Sequence, residues 1–114
     1  MELNLLNLMS NVFMRMILFF DLPSVSKKDI REYTKFVKTL KKNGFIKMQE
    51  SVYTKLALNP SSVNSCMIEL KKNLPIEGMI SVLTLTETQF SSIEHLMGEI
   101  KTDVIITEEK VIRL

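Results

Sequence analysis

Apolar and polar positions along the chain follow two periods, one typical of strands and one typical of helices. The run MRMILFFDLP, which starts at Met14, is unbroken in its apolar character from Met16 to Phe20 and then closes with Asp21, Leu22 and Pro23. A short apolar run that ends in a turn predicts a buried strand. Side chains alternate along a strand, and here both alternating sets are apolar, so both faces of this strand need to be covered.

A helix is predicted from Ser26 to Asn43. Ser26 and Asp29 have the spacing of a capping box at its start, and Asn43 followed by Gly44 supplies a stop. Four apolar residues recur at helical spacing and predict its buried stripe: Ile30, Tyr33, Val37 and Leu40. The opposite stripe is basic, so the helix has a core face and a charged face.

Three further strands and a second helix are predicted after it. The stretch 45–58 is rich in β-branched and aromatic residues, and a break in its alternation at 49–51 indicates a turn between two strands. Asn59 followed by Pro60 opens the second helix, and 79–86 is the last core strand. The apolar stripe of the second helix is Val63, Cys66, Met67 and Leu70.

The order strand, helix, strand, strand, helix, strand predicts an α+β fold, a ferredoxin-like split βαβ sandwich with both helices on one face of the sheet. We divide the chain into an N-terminal extension (1–13), the ferredoxin-like domain (14–97) and a C-terminal strand tail (98–114). A turn or short helix is predicted at 87–97, and short strands at 103–107 and 111–114. Because the second sheet face is apolar too, we expect a homodimer, with the tail completing a sheet edge or crossing to the other subunit.

The amino-acid composition argues against a disulfide-bonded, a metal-cluster and a membrane protein. The 114 residues suffice for one domain, and the single cysteine excludes an internal disulfide and fits a reduced, cytoplasmic protein. Cys66 and His95 alone cannot form a metal cluster. The apolar N-terminal stretch lacks the basic start of a signal peptide and is too short to cross a bilayer, so we expect no membrane association.

The middle of the chain is basic although the net charge is only +2. Eleven Lys or Arg and four acids lie between Lys27 and Lys72, a local charge of +7. Such a surface suits a polyanion, although solvated lysines are also common on surface helices. The candidate contacts to nucleic-acid phosphates are Lys27, Lys28, Arg31, Lys38 and Lys42.

Asp21 is the first candidate for a functional residue. It ends the first strand, and ligands often meet the backbone at strand ends of α/β sheets. The alternative is that Asp21 only accepts backbone N–H bonds in its turn. His95 is more simply a surface residue, and Tyr53 fits core packing better than base stacking.

The combination of MRMILFFDLP, GFIKMQESVY, LKKNLP and GMISVLTLTETQF resembles CRISPR-associated protein 2, in the form that accompanies a single large RNA-guided effector nuclease. The resemblance covers Met14 to about Met97. It implies a ferredoxin-like homodimer that acts in CRISPR adaptation, where it bridges two dimers of the integrase, CRISPR-associated protein 1, with double-stranded prespacer DNA laid across them. It also implies a metal-dependent endonuclease of RNA or DNA, with Asp21 as the catalytic and Mg²⁺-binding residue. Mg²⁺ prefers oxygen ligands and takes one or two carboxylates, so two Asp21 residues near a two-fold axis would hold one ion.

Two functions of different classes follow from this resemblance. The preferred one is a DNA-binding scaffold subunit of the spacer-integration complex. The alternative is a magnesium-dependent endonuclease that uses paired Asp21 carboxylates. A third interpretation, an unrelated metabolic or regulatory role, stays open because a ferredoxin-like fold does not define a function.

Overall fold

The computed structural model describes residues 13–99. The strands are β1 (Met14–Asp21), β2 (Ile46–Gln49), β3 (Val52–Ala57) and β4 (Met79–Thr86), and the helices are α1 (Lys27–Lys42), α2 (Pro60–Lys71) and α3 (Glu87–Ser91). The predicted order of the six core elements is confirmed. The predicted strands at 103–107 and 111–114, and nearly all of the N-terminal extension, lie outside the described residues.

The four strands form one antiparallel sheet in the order β2-β3-β1-β4. β1 is central and pairs with β3 on one side and with β4 on the other, so that Ile17 lies between Thr54 and Leu83. α1 and α2 contribute to the same core as β1, which places both helices on one face of the sheet. The predicted ferredoxin-like α+β fold is confirmed. No helix within residues 13–99 is long and apolar enough to cross a membrane.

The core lies between the sheet and the two helices. Met16 and Leu18 are fully buried, and the Phe20 ring stacks on Tyr53 at 6.0 Å and meets Phe36 edge to face at 5.9 Å. Such aromatic pairs add to the free energy of burying their surface. The prediction that Ile30 belongs to the buried stripe of α1 is wrong: Ile30 is half exposed, and Phe36 is buried instead.

Local sequence signals set the ends of the helices. Ser26 Oγ accepts a hydrogen bond from the Asp29 amide at 3.0 Å, and the Asp29 carboxylate accepts one from the Ser26 amide at 3.1 Å. This reciprocal pair is the predicted capping box. Asn59 caps α2 by accepting from the Ser62 amide at 2.9 Å. Ser51 turns the chain between β2 and β3 with a φ of 62°.

The sheet face opposite the helices has exposed apolar side chains. Phe19, Met79 and Leu83 on this face are 45%, 71% and 51% exposed. We call this surface, together with Ile17, the open face. The alternation of β1 produces it, because Met16, Leu18 and Phe20 take the helix side. A homodimer that covers the open face stays a prediction.

Candidate functional site

Asp21 ends β1 beside Met79, and Gly78 fixes the backbone there. Gly78 has a φ of +112°, a conformation that favours glycine. A Cβ on Gly78 would lie 2.6 Å from Cδ2 of Leu22 and 2.7 Å from the carbonyl oxygen of Asp21. The residue that precedes β4 therefore contacts the backbone of the turn formed by Asp21, Leu22 and Pro23, which we call the aspartate turn. Only glycine, which has no side chain, fits this close approach.

The Asp21 side chain is exposed. Among residues 13–99 its carboxylate has no hydrogen bond or ion pair, so the predicted alternative of backbone N–H donors within the turn is not seen there. The same residues contain no group of three His, Cys, Asp or Glu side chains that could hold a metal ion. Asp21 therefore fits Mg²⁺ only if water and a second copy of the chain supply the other ligands.

The predicted basic stripe of α1 is exposed along the whole helix. Its residues lie opposite Phe36 and Leu40, which are buried in the core. None of them forms an ion pair with an acid among the described residues. Their positive charge is therefore free to act on a ligand. The predicted stripe is Lys27, Arg31, Lys35, Lys38 and Lys42; together with the adjacent exposed Lys28, also a predicted phosphate contact, we call these six residues the basic stripe.

A small cleft connects the aspartate turn with the start of α1. Leu22 and Pro23 line it from the turn, and Lys28 and Asp29 line it from the helix. The hydrogen bond from the Ser26 backbone lowers the pKa of Asp29 below its ordinary value. Asp29 is thus ionised at neutral pH but engaged in its cap. The structure brings the turn of Asp21 next to the N-terminal end of the basic stripe, whereas Lys42 lies at the far end of the same helix.

Sequence reasoning missed a buried ion pair on the other side of the sheet. Arg15 Nε and Nη2 donate hydrogen bonds to the two carboxylate oxygens of Glu87 at 2.7 and 3.0 Å. The guanidinium also lies 4.4 Å from the centre of the Phe90 ring. A cation within an otherwise apolar strand and an acid directly after the last strand were the available signals. This pair, which we call the Arg15–Glu87 clamp, ties α3 to β1.

Three other candidates are placed as the sequence indicated. Tyr53 is 3% exposed in the core, and burial raises the pKa of its hydroxyl. Burial likewise raises the pKa of the Cys66 thiol, which disfavours the thiolate. His95 is exposed. None of these three residues lines the cleft between the aspartate turn and the start of α1.

The fold and these surfaces define a small ferredoxin-like protein with an exposed acid at a strand end and a basic helix beside it. A family model described as CRISPR associated protein Cas2 matches residues 14–93. The chain belongs to the Cas2 family. The resemblance noted from the four sequence motifs is thereby confirmed.

Several relatives named CRISPR-associated endoribonuclease Cas2 are similar along most of the chain. The one from Treponema denticola is 44% identical over 101 residues, which cover 89% of this chain and all of the relative. The one from Streptococcus mutans is 42% identical, covering 89% of this chain and 93% of the relative. The one from Acidovorax ebreus is 46% identical, covering 75% of this chain and 83% of the relative. These names support the family-level assignment as an endoribonuclease.

A solved structure titled "Crystal structure of cas2" has the same fold. It superposes with a TM-score of 0.57 and 15% sequence identity, covering 79% of this chain and 92% of that chain. At this identity the likeness concerns the fold alone.

Proposed function

We propose that the chain is a DNA-binding scaffold subunit in CRISPR adaptation, working with the integrase CRISPR-associated protein 1. The observation that carries this proposal is the basic stripe of α1, whose six cations are exposed and unpaired among the described residues. A helix of 16 residues is about 24 Å long, and duplex DNA carries one negative charge per roughly 1.7 Å of its axis. The stripe therefore matches several successive phosphates without reading their sequence.

A second copy of the chain would cover the open face. Phe19, Leu83 and Met79 expose apolar area that water disfavours, and a closed two-fold dimer buries the same patch on both subunits. Such a dimer presents two basic helices and two Asp21 residues. It would hold two integrase dimers at a fixed separation on one double-stranded prespacer, which is the scaffold role that we propose.

Charge reversal tests the interaction with DNA. A Lys27→Glu/Lys28→Glu variant should bind duplex DNA more weakly, and its plot of log affinity against log salt should be less steep by roughly 0.9 for each phosphate that is no longer neutralised. Lys71→Glu/Lys72→Glu changes the same charge at the end of α2 and serves as the matched control. If both double variants have the wild-type slope, the basic stripe is only solvated and the proposed interaction is incorrect.

The second candidate function is a magnesium-dependent endonuclease. Two observations favour it: relatives are named endoribonucleases, and the Asp21 carboxylate has no partner among residues 13–99. Paired Asp21 carboxylates would hold Mg²⁺, which supplies an activated water for attack on a phosphodiester. The chain itself contributes the carboxylate, held at the end of β1 by the approach of Gly78, and the cations that retain the nucleic acid beside it.

Spacer acquisition in cells that contain the integrase and a CRISPR array separates the two functions. The comparison is between wild type and Asp21→Asn, with Glu77→Gln as a control for another exposed acid at this edge. If the Asp21→Asn chain is a folded dimer and acquisition persists, the scaffold function is supported. If the complex assembles but acquisition fails only in Asp21→Asn, metal chemistry at Asp21 is required and a pure scaffold is refuted.

A further inference from the structure

A polar groove of about 710 Å³ lies in the helix layer, away from both the open face and Asp21. The C-terminal part of α1 and the whole length of α2 form its two sides, and Lys55 of β3 lines it between them. Nearly every lining side chain carries a hydroxyl, an amide or a charge. Of the basic stripe that the proposed function uses, Lys42 alone lines this groove.

Lys55 is the unusual residue of the groove. It lies on the helix side of β3, between the buried Tyr53 and Ala57, where an apolar residue would be expected. Its ammonium is 5.9 Å from the centre of the Phe45 ring and lies beside the Cys66 thiol. Among the described residues no carboxylate lies within 4.0 Å of it. An anionic ligand in the groove would therefore supply Lys55 with a counter-charge that the described residues do not provide.

The other charged groups of the groove leave a net positive site. Lys42 has no ion pair within residues 13–99, whereas the carboxylate of Glu69 lies 4.0 Å from Lys72 Nζ. Carbonyls at the end of α1 would repel an anion, but Asn43 and Gly44 donate hydrogen bonds to those of residues 39–41. These hydrogen bonds offset the negative partial charges of the carbonyl oxygens.

The remaining polar groups suit an anion with several acceptor oxygens. Ser62 Oγ donates to Asn59 and Thr39 Oγ1 donates to a backbone carbonyl, but no such bond occupies the hydroxyls of Ser61 and Ser65 among the described residues. Two ammonium groups and two available hydroxyl donors fit a tetrahedral phosphate better than a planar carboxylate. The volume lies within the range of clefts that bind small molecules.

We propose that this groove binds a phosphate group through Lys42 and Lys55, with Ser61 and Ser65 as hydroxyl donors. The phosphate belongs either to a free nucleotide or to the backbone of a nucleic-acid strand. This site shares Lys42 with the basic stripe, whereas Lys55, Ser61 and Ser65 lie outside the stripe. It does not rest on the proposed scaffold function, because a chain that fails to bind duplex DNA would retain the groove.

The test is a titration of the full chain, followed by backbone amide NMR shifts at Ser61 and Ser65. The probes are AMP, adenosine and a hexadeoxyadenylate strand without terminal phosphates. AMP or the strand should shift both amides in a saturable way, whereas adenosine, which lacks phosphate, should not. Tighter binding of AMP identifies a nucleotide site, and tighter binding of the strand identifies a backbone site. Absence of saturable shifts with both phosphate probes would overturn the proposal.

Variants locate the binding in the groove. Lys55→Met keeps an unbranched side chain that is only one atom shorter, and Lys42→Met leaves the core untouched. Each variant should bind the probe at least tenfold more weakly. Lys41→Met removes a neighbouring cation that does not line the groove and should leave the affinity unchanged. Glu69→Gln removes the one acid of the groove and should strengthen binding. Equal affinities for Lys42→Met and Lys41→Met would show that only diffuse positive charge is sensed, which contradicts the proposed site.

Discussion

Replacing Glu87 by glutamine should destabilise the protein strongly, because it leaves the Arg15 guanidinium buried without its counter-charge. The two side chains are only 3% and 10% exposed, and the pair is bidentate. Two unit charges about 4 Å apart attract by about 4 kcal/mol at an effective dielectric constant of about 20. Removing one partner of a buried pair typically costs about 3–5 kcal/mol. We expect the free energy of unfolding of Glu87→Gln to fall by a similar amount.

The assay is urea unfolding at one fixed chain concentration, so that any self-association acts equally on all variants. The double variant Arg15→Met/Glu87→Met removes both charges and should recover most of the stability, since apolar replacements of a buried pair are often neutral. Lys47→Met breaks the exposed Lys47–Glu50 ion pair and should change stability far less. A cost for Glu87→Gln no greater than that of Lys47→Met would refute the reasoning.

Three further predictions concern other sites. Gly78→Ala should displace the aspartate turn, which amide NMR shifts at Asp21 and Leu22 would register, whereas unchanged shifts would mean that the 2.6 Å approach relaxes without moving the turn. Asp29 has a lowered pKa, so its contribution to stability is present above about pH 4 and is lost as the pH falls through its folded-state pKa. In Asp29→Asn this part of the pH dependence of the free energy of unfolding should vanish. The same pH dependence in wild type and variant would contradict this prediction. Thr54 Oγ1 is buried without a hydrogen-bond partner in residues 13–99, so Thr54→Val should raise the free energy of unfolding by about 1–3 kcal/mol, and a decrease on urea unfolding would indicate that the hydroxyl has a partner in solution.

Local chemistry explains why the elements of this fold could be predicted from the sequence. Ser26 and Asn59 satisfy the first amides of their helices with short hydrogen bonds, and these depend on residues only three positions apart. The burial of Ile30 was predicted wrongly because helical spacing gives the direction of a side chain but not the extent of the surface that it meets. The Arg15–Glu87 clamp joins residues 72 positions apart, and only the pairing of β1 with β4 brings them together.

The features of the candidate site also differ in whether the sequence alone predicts them. The position of Asp21 at a strand end and the basic stripe of α1 follow from periodicity within single elements. The anion-poor surroundings of Lys55 do not, because they arise where β3, α1 and α2 meet. A lysine within a strand pattern is usually solvated, and nothing in its immediate sequence neighbours marks it as half buried.

The central place of β1 in the sheet also affects how the chain folds. β1 is made first, yet its partner β4 begins 58 residues after β1 ends. Contacts between such distant segments are slow to form, because a long loop must close before any pairing compensates for the reduced chain entropy. During synthesis β1, the most apolar of the strands within residues 13–99, therefore emerges well before its last neighbour. Until then its β4-facing edge is open to the wrong partner, a hazard for which chaperones exist.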